Sequence, residues 1–219
     1  MHLTFHKEID NLRSKFLILG SMVEDRVRKA CSAINTRDPE IVHYILTSDY
    51  EVDDMEIEIE EDCLKILALH QPVARDLRFI ISIIKINNEM ERIADYAQKI
   101  ARRIEGIKQD IVPLCGVDFD IMSEKVITML RLSLDSLINR DVDLAHKIFI
   151  LDDDVDAFFI EAIGNIKQEL KKTQSHPECL LNAFLIARHL ERIADRATNI
   201  AEEVIYMVEG EIVRGDHNN

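Results

Sequence analysis

Apolar residues recur at steps of three and four along most of the chain, the spacing that places them on one face of an α-helix. Pro39, Pro72 and Pro177 punctuate this pattern, and Asp38 stands before the first of them as a candidate N-cap. The pattern predicts six helices, over about 4–35, 39–70, 72–107, 118–139, 142–173 and 177–208.

The second half of the chain repeats the plan of the first half in shortened form. Arg37-Asp38 follows the first predicted helix, and Arg140-Asp141 follows the fourth. Short connections between consecutive helices demand antiparallel neighbours. The sequence therefore predicts an all-α fold of two pseudo-symmetric antiparallel three-helix bundles. The predicted organisation is a first unit over 1–109, a connector over 110–116, a second unit over 117–210 and a tail over 211–219.

The clearest repeat is ERIADYAQKIA at 91–101 and ERIADRATNIA at 191–201, with eight of the eleven positions identical. Each copy contains E-x-x-x-D, and residues four apart on a helix lie one above the other on the same face. Two carboxylates in that arrangement repel each other unless a cation lies between them. The repeated pairs therefore favour a bound metal ion, at Glu91 with Asp95 and at Glu191 with Asp195, although common descent from a duplication also explains the repeat.

The helical periodicity also predicts the direction of these carboxylates. At 100° per residue, the apolar residues of each copy gather on one side of the helix and the two acids fall on the opposite side. We therefore expect both pairs on a polar outer face, above a dry apolar core. In the first copy the predicted apolar stripe is Ile86, Met90, Ile93, Ala97, Ile100 and Ile104.

Composition narrows the class of protein. A formal net charge of −14 disfavours nucleic-acid binding, which needs a basic surface. The longest nearly apolar run, 79–86, is far shorter than the ~20 residues that cross a bilayer. The N-terminal residues lack the apolar segment of a secretory signal, and four scattered cysteines suit a reducing compartment. We expect a cytoplasmic protein that does not insert into membranes.

Two other constellations compete with the surface metal pairs. Glu40-x-x-His43 and Asp143-x-x-His146 have the spacing of ligands in ferritin-like di-iron enzymes, although the acids also suit the first turn of a helix. The sequence has no nucleophile motif, no phosphate-binding glycine loop and no evident arginine cluster for an anion, so we expect a non-enzymatic protein. A helical bundle that binds no metal is the third alternative.

Three motifs and the duplication resemble the PhoU family of phosphate-uptake regulators. They are QPVARDLR at 71–78, EMERIADYAQKIA at 89–101 and RHLERIADRATNIAEEVIYMVEG at 188–210. The resemblance covers nearly the whole chain and implies two three-helix bundles, a homodimer and multinuclear iron or zinc clusters. It also implies negative regulation of phosphate import and of the phosphate-starvation response. The implied partners are the ATPase subunit of the phosphate transporter and a membrane histidine kinase.

Carried over by position, the implied metal ligands are Glu91, Asp95, Glu191 and Asp195. Asp53 and Asp156 on neighbouring helices are weaker candidates, which complete a site if their faces turn towards these pairs. The sequence departs from the family where Tyr96 and Arg196 follow the signature aspartates in place of histidine. Arg196, together with Arg188, puts positive charge near the second pair and disfavours a metal ion there.

Overall fold

The computed structural model describes residues 2–107, 117–172 and 176–213, and every regular element within them is an α-helix. This confirms the predicted all-α class. The predicted connector over 110–116 and most of the predicted tail lie outside the described residues. The helices are α1 (His2–Thr36), α2 (Pro39–Thr47), α3 (Asp49–His70), α4 (Ala74–Glu105), α5 (Phe119–Asn139), α6 (Val142–Glu169) and α7 (Pro177–Glu209).

The second predicted helix is wrong as a single element, because the chain breaks at Ser48 between α2 and α3. Arg26 of α1 is buried at this break, and its guanidinium donates to the Ser48 carbonyl and, at 3.1 Å, to the Ser48 Oγ. The same guanidinium donates to Asp49 Oδ1 at 2.6 Å. A long-range contact thus satisfies the backbone where the helix stops. The predicted helix over 142–173 is also too long, since α6 ends at Glu169.

The repeated Arg-Asp pairs each join one helix to the next. Arg37 and Arg140 adopt left-handed backbone conformations, with φ of 50° and 54°. The aspartates that follow are N-caps: Asp38 accepts from the Glu40 amide at 2.8 Å, and Asp141 accepts from the Leu144 amide at 3.0 Å. This local chemistry is the same in both halves and supports the predicted pseudo-symmetry.

The two helices that carry the repeated sequence, α4 and α7, form the centre of the molecule and make its most extensive contact. Helices α1, α2 and α3 pack on α4, whereas α5 and α6 pack on α7, and α1 also crosses α5. The apolar stripe predicted for α4 is confirmed, since all six of its members are buried. No helix in the described ranges is long and apolar enough to cross a membrane.

Candidate metal sites on the repeated helices

The first carboxylate cluster lies between α3 and α4. Burial raises the pKa of Glu91, and the negative charges of Asp95, Asp53 and Glu56 raise it further. The pKa of Asp53 is also raised, by burial and then by Asp49 and Asp95. The structure therefore brings the weaker candidate Asp53 close to the signature pair. The negative charges of these acids therefore repel each other in the folded chain.

Few basic groups compensate this first cluster. Lys99 Nζ lies 2.9 Å from Asp95 Oδ2, one turn along α4, and both side chains are more than a third exposed. Within the described part of the chain, Glu91 and Asp53 have no hydrogen-bond or ion-pair partner. In the first cluster the carboxylates of Glu91 and Asp53 are thus unpaired among the described residues, whereas that of Asp95 is paired.

The second cluster lies between α6 and α7. The pKa of Glu191 is raised by burial and then by Asp195, and Asp156 on α6 contributes further negative charge. Burial, followed by Asp195 and Asp153, raises the pKa of Asp156. The prediction of an outer face is wrong for Glu191, which is only 9 % exposed. Helix α6 covers the polar side of α7 that carries Glu191. Helical periodicity predicts which residues share a side of a helix, but not whether another helix packs on that side.

Arginines occupy the second cluster. Arg188 Nη1 lies 3.0 Å from Glu191 Oε1, which agrees with the prediction that Arg188 places positive charge on this face. Arg192, which the sequence prediction did not consider, places Nη1 2.6 Å from Asp195 Oδ2. Glu191 Oε2 is nevertheless buried without a hydrogen-bond partner, with Arg192 Nε at 3.6 Å. The second cluster is therefore largely neutralised by its own helix.

Arg196 does not contribute to this neutralisation, contrary to the prediction. Its Nη1 crosses to α4 and lies 3.1 Å from Glu89 Oε2, where Asn199 Nδ2 also donates at 3.3 Å. The position equivalent by the 100-residue offset is taken by Tyr96, whose ring stacks on His189 with centroids 5.9 Å apart. Equivalent positions of α4 and α7 thus form two different contacts. Glu89 and Arg196 form an ion pair, whereas Tyr96 and His189 form an aromatic stack.

The donor sets fit a metal ion unequally. Carboxylate oxygens suit hard cations, and Asp53, Glu91 and Asp95 would hold such an ion after side-chain rearrangement. In the described part of the chain, no three histidine, cysteine, aspartate or glutamate side chains already form a metal-binding group. In the second cluster the arginines must first be displaced from Glu191 and Asp195, although the unpartnered Glu191 Oε2 leaves one oxygen available.

The ferritin-like alternative requires histidine ligands that face a bundle core. His43 and His146 are both exposed, and so are Glu40 and Asp143. The interior between the helices is instead filled by apolar side chains. These two motifs therefore do not form an internal di-metal centre.

A cavity of about 680 Å³ lies beside the first cluster, between α3, α4 and α7. Lys85 is its one basic lining residue among those described, and its Nζ lies 2.8 Å from Glu203 Oε1. In the first half, the residues equivalent to Asn199, Glu202 and Glu203 of α7 are basic. They are Lys99, Arg102 and Arg103. The glutamates that line the cavity are Glu56, Glu60, Glu89, Glu202 and Glu203.

These two helical units agree with what the sequence shares with known proteins. A sequence model of the PhoU domain matches residues 16–104 and 119–204, so the domain occurs twice and each copy contains one E-x-x-x-D helix. The chain belongs to the PhoU family. The family resemblance predicted from the three motifs is therefore confirmed.

Similar proteins extend over nearly all of the chain. The phosphate-specific transport system accessory protein PhoU of Serratia marcescens is 34% identical over 211 residues, which is 96% of this chain and 86% of that protein. The PhoU homologue of Pseudomonas aeruginosa is 36% identical over 96% of this chain and 87% of its own.

Solved structures show the same fold. The crystal structure of PhoU from Pseudomonas aeruginosa matches with a TM-score of 0.90 at 35% identity, over 94% of this chain and 100% of that one. PhoU from Streptococcus pneumoniae, a phosphate transport system regulatory protein, matches with a TM-score of 0.86 at 29% identity, over 96% of this chain and 100% of that one. The predicted PhoU-like arrangement of two repeats is confirmed.

Proposed function

We propose that the protein regulates phosphate uptake and phosphate-starvation signalling by contact with other proteins, without catalysis. The observation that carries this proposal is the tandem of PhoU domains, shared over 96% of the chain with phosphate-specific transport system accessory proteins. The proposed partners are the ATPase subunit of the phosphate transporter and the membrane histidine kinase, met on the cytoplasmic side by a homodimer. Through them the protein limits import and the starvation response when phosphate is plentiful.

The charge distribution supports a role in protein contact. The net charge of −14 favours encounter with basic surfaces, and the glutamate-lined cavity concentrates that charge between three rigid helices. Glu202 and Glu203 lie on α7 at the edge of this cavity and are the residues we assign to a basic surface of the partner.

Deletion of the gene and complementation test the regulatory role. In phosphate-rich medium, deletion should raise the expression of a phosphate-starvation reporter, and the wild-type chain should restore repression. Glu202→Lys/Glu203→Lys should restore it poorly, whereas the control Glu178→Lys/Glu209→Lys, with the same charge change at the two ends of the same helix, should restore it fully. Full repression in the deletion strain would contradict the proposed function.

We further propose that iron or zinc binds in multinuclear sites at the E-x-x-x-D faces, with Asp53, Glu91 and Asp95 as the principal site. Metal there would neutralise the carboxylates that repel one another between α3 and α4. Asp156, Glu191 and Asp195 form the second and weaker site, because arginines already pair with two of these acids.

Elemental analysis of the purified chain tests the metal proposal. Glu91→Gln/Asp95→Asn should remove most of the bound metal, and the matched Glu191→Gln/Asp195→Asn should remove less. Both variants keep side-chain size and lose two charges. A difference in their metal content therefore reflects how strongly each carboxylate cluster binds metal. Absence of metal from the wild type after incubation with iron or zinc, or equal retention by both variants, would overturn the assignment.

A further inference from the structure

An apolar cavity opens where α1, α4 and α5 meet, away from both carboxylate clusters. Its volume is about 280 Å³. A second cavity of about 190 Å³ continues along the seam between α1 and α5, and the two share the lining residues Phe16, Leu17, Leu137 and Ile138. The side chains at the mouth are strongly exposed for apolar groups, at 48% for Leu17 and 54% for Ile138.

The pseudo-symmetry of the chain shows that the fold does not require this opening. The offset of 103 residues that relates Arg37 to Arg140 also relates Leu17 to Asp120 and Asn35 to Ile138. At that equivalent place the Asn35 amide donates to the Asp120 carboxylate and joins α1 to α5. The same crossing is thus closed by a polar pair at one end and left open and apolar at the other.

Arginines line the rim of the open end. The guanidinium groups of Arg13 and Arg140 lie 5.1 Å and 5.9 Å from the centroid of the Phe79 ring. Burial lowers the pKa of Arg140, and the positive charges of Arg13 and Arg75 lower it further. Among the described residues Arg140 has no ion-pair partner, and Arg13 has only the exposed Asp10 at 3.6 Å.

The sequence does not predict this arginine cluster, because Arg13 lies in α1, Arg75 in α4 and Arg140 directly after α5. Arg13 and Arg140 lie at one aromatic ring, and together with Arg75 these like charges repel one another. Asp76 opposes this repulsion only in part, since the pKa of Arg140 remains lowered. A bound anion would relieve that repulsion. Guanidinium groups hold carboxylate and phosphate oxygens through paired hydrogen bonds.

We propose that this cavity binds a small amphipathic anion, a carboxylate or phosphate monoester attached to an apolar chain. The anionic group lies between Arg13 and Arg140, and the apolar chain enters the cavity over Phe16 and Leu137. The volume is close to the roughly 300–1,000 Å³ of small-molecule sites, so the apolar part is short. The site is separate from the proposed metal faces and from the glutamate-lined cavity, and it adds a ligand to the proposed regulatory function.

Calorimetric titration of the full chain with decanoate and with decyl phosphate, both below their micelle concentrations, tests this proposal. One molecule should bind per chain, with either or both head groups. Arg13→Gln/Arg140→Gln should weaken binding at least tenfold. Arg131→Gln should leave it unchanged, because Arg131 lines only the neighbouring cavity. Inorganic phosphate and decyltrimethylammonium should not bind.

A second variant tests the apolar half of the site. Leu17→Asp/Ile138→Asn transplants the pair that closes the equivalent crossing, so it should fold and abolish binding of the decyl chain. Circular dichroism verifies that both double variants keep their helix content. Binding that survives both double variants, equal binding of the cationic amphiphile, several molecules per chain or no binding to the wild type would each overturn the proposal.

Discussion

Individual carboxylates on α3 oppose the folded state at neutral pH. Glu56 is partly buried, and its pKa is raised by burial first and then by Glu60 and Asp53. The folded state therefore favours protonated Glu56. The stability that this protonation provides is fully present below the ordinary pKa of 4.5 and is lost as pH rises through the raised value.

Glu56→Gln should accordingly stabilise the metal-free chain at pH 7. Glutamine cannot ionise, so the substitution removes the repulsion from Glu60 one turn away, which is worth about 0.2–0.5 kcal/mol for such a pair. The gain should disappear at pH 3.5, where Glu56 is protonated in the wild type. Urea denaturation at both pH values measures it, with exposed Glu161→Gln as the control. A gain that persisted at pH 3.5 would contradict this explanation.

At the same scale, spacing predicted which residues form each signature pair, but not their surroundings. Glu91 with Asp95 could be identified because helical geometry relates them within one element. The burial of Glu191 and the ion pair of Arg192 with Asp195 depend on how other helices and rotamers are placed. Asp53 is predicted only through the family resemblance, since its neighbours on α4 are more than 35 residues away in sequence.

Helices differ in how closely their neighbours approach. Gly164 in α6 has no atom within 4 Å of the position that a Cβ would occupy. Gly20 in α1 is buried, and its added Cβ would lie 3.3 Å from Leu134 Cδ2 of α5. The first glycine therefore weakens its helix without serving packing, whereas the second permits α1 and α5 to cross closely.

Gly164→Ala should raise the free energy of unfolding by about 0.5–1 kcal/mol, the usual difference between these residues inside a helix. Gly20→Ala has the same backbone benefit but must displace Leu134, so its gain should be smaller or absent. Chemical denaturation of both variants checks the difference. Equal gains would show that the contact with Leu134 adjusts freely.

The element that the sequence mispredicted is the helix after Pro39. No glycine or proline marks Ser48, and the periodicity continues from α2 into α3. The break depends on Arg26, whose guanidinium bonds to Ser48 and Asp49 from a helix more than twenty residues earlier. The local sequence pattern predicted the helix boundaries at proline and aspartate well. It cannot predict a break in a helix that is stabilised by a side chain distant in sequence.

The whole molecule is organised by an approximate twofold relation between α4 and α7. Equivalent positions across this central contact hold different chemistry, Tyr96 with His189 and Arg196 with Glu89. Both solutions fit the same backbone geometry. The duplication predicted that the halves are similar, but the sign and type of each cross-helix contact follow only from the packed structure.

Exchanging one solution for the other should therefore be tolerated. Glu89→His/Arg196→Tyr recreates the aromatic stack in the other half, while each single substitution leaves a partly buried partner unmatched. We expect the double variant to be more stable than the sum of the singles by about 0.5–1.5 kcal/mol, the range of aromatic pairs. A double-mutant cycle from urea denaturation measures this coupling, and simple additivity would contradict the equivalence of the two positions.

The central contact between α4 and α7 joins segments that leave the ribosome at different times. Helix α4 ends at Glu105 and α7 ends at Glu209. After α4 is complete, the ribosome must therefore add roughly 100 further residues before α7 is complete. At about 5–20 residues per second, the apolar face of α4 is without its partner for roughly 5–20 s. During this interval we expect the nascent first unit to be open to chaperone binding and to pairing with another nascent copy.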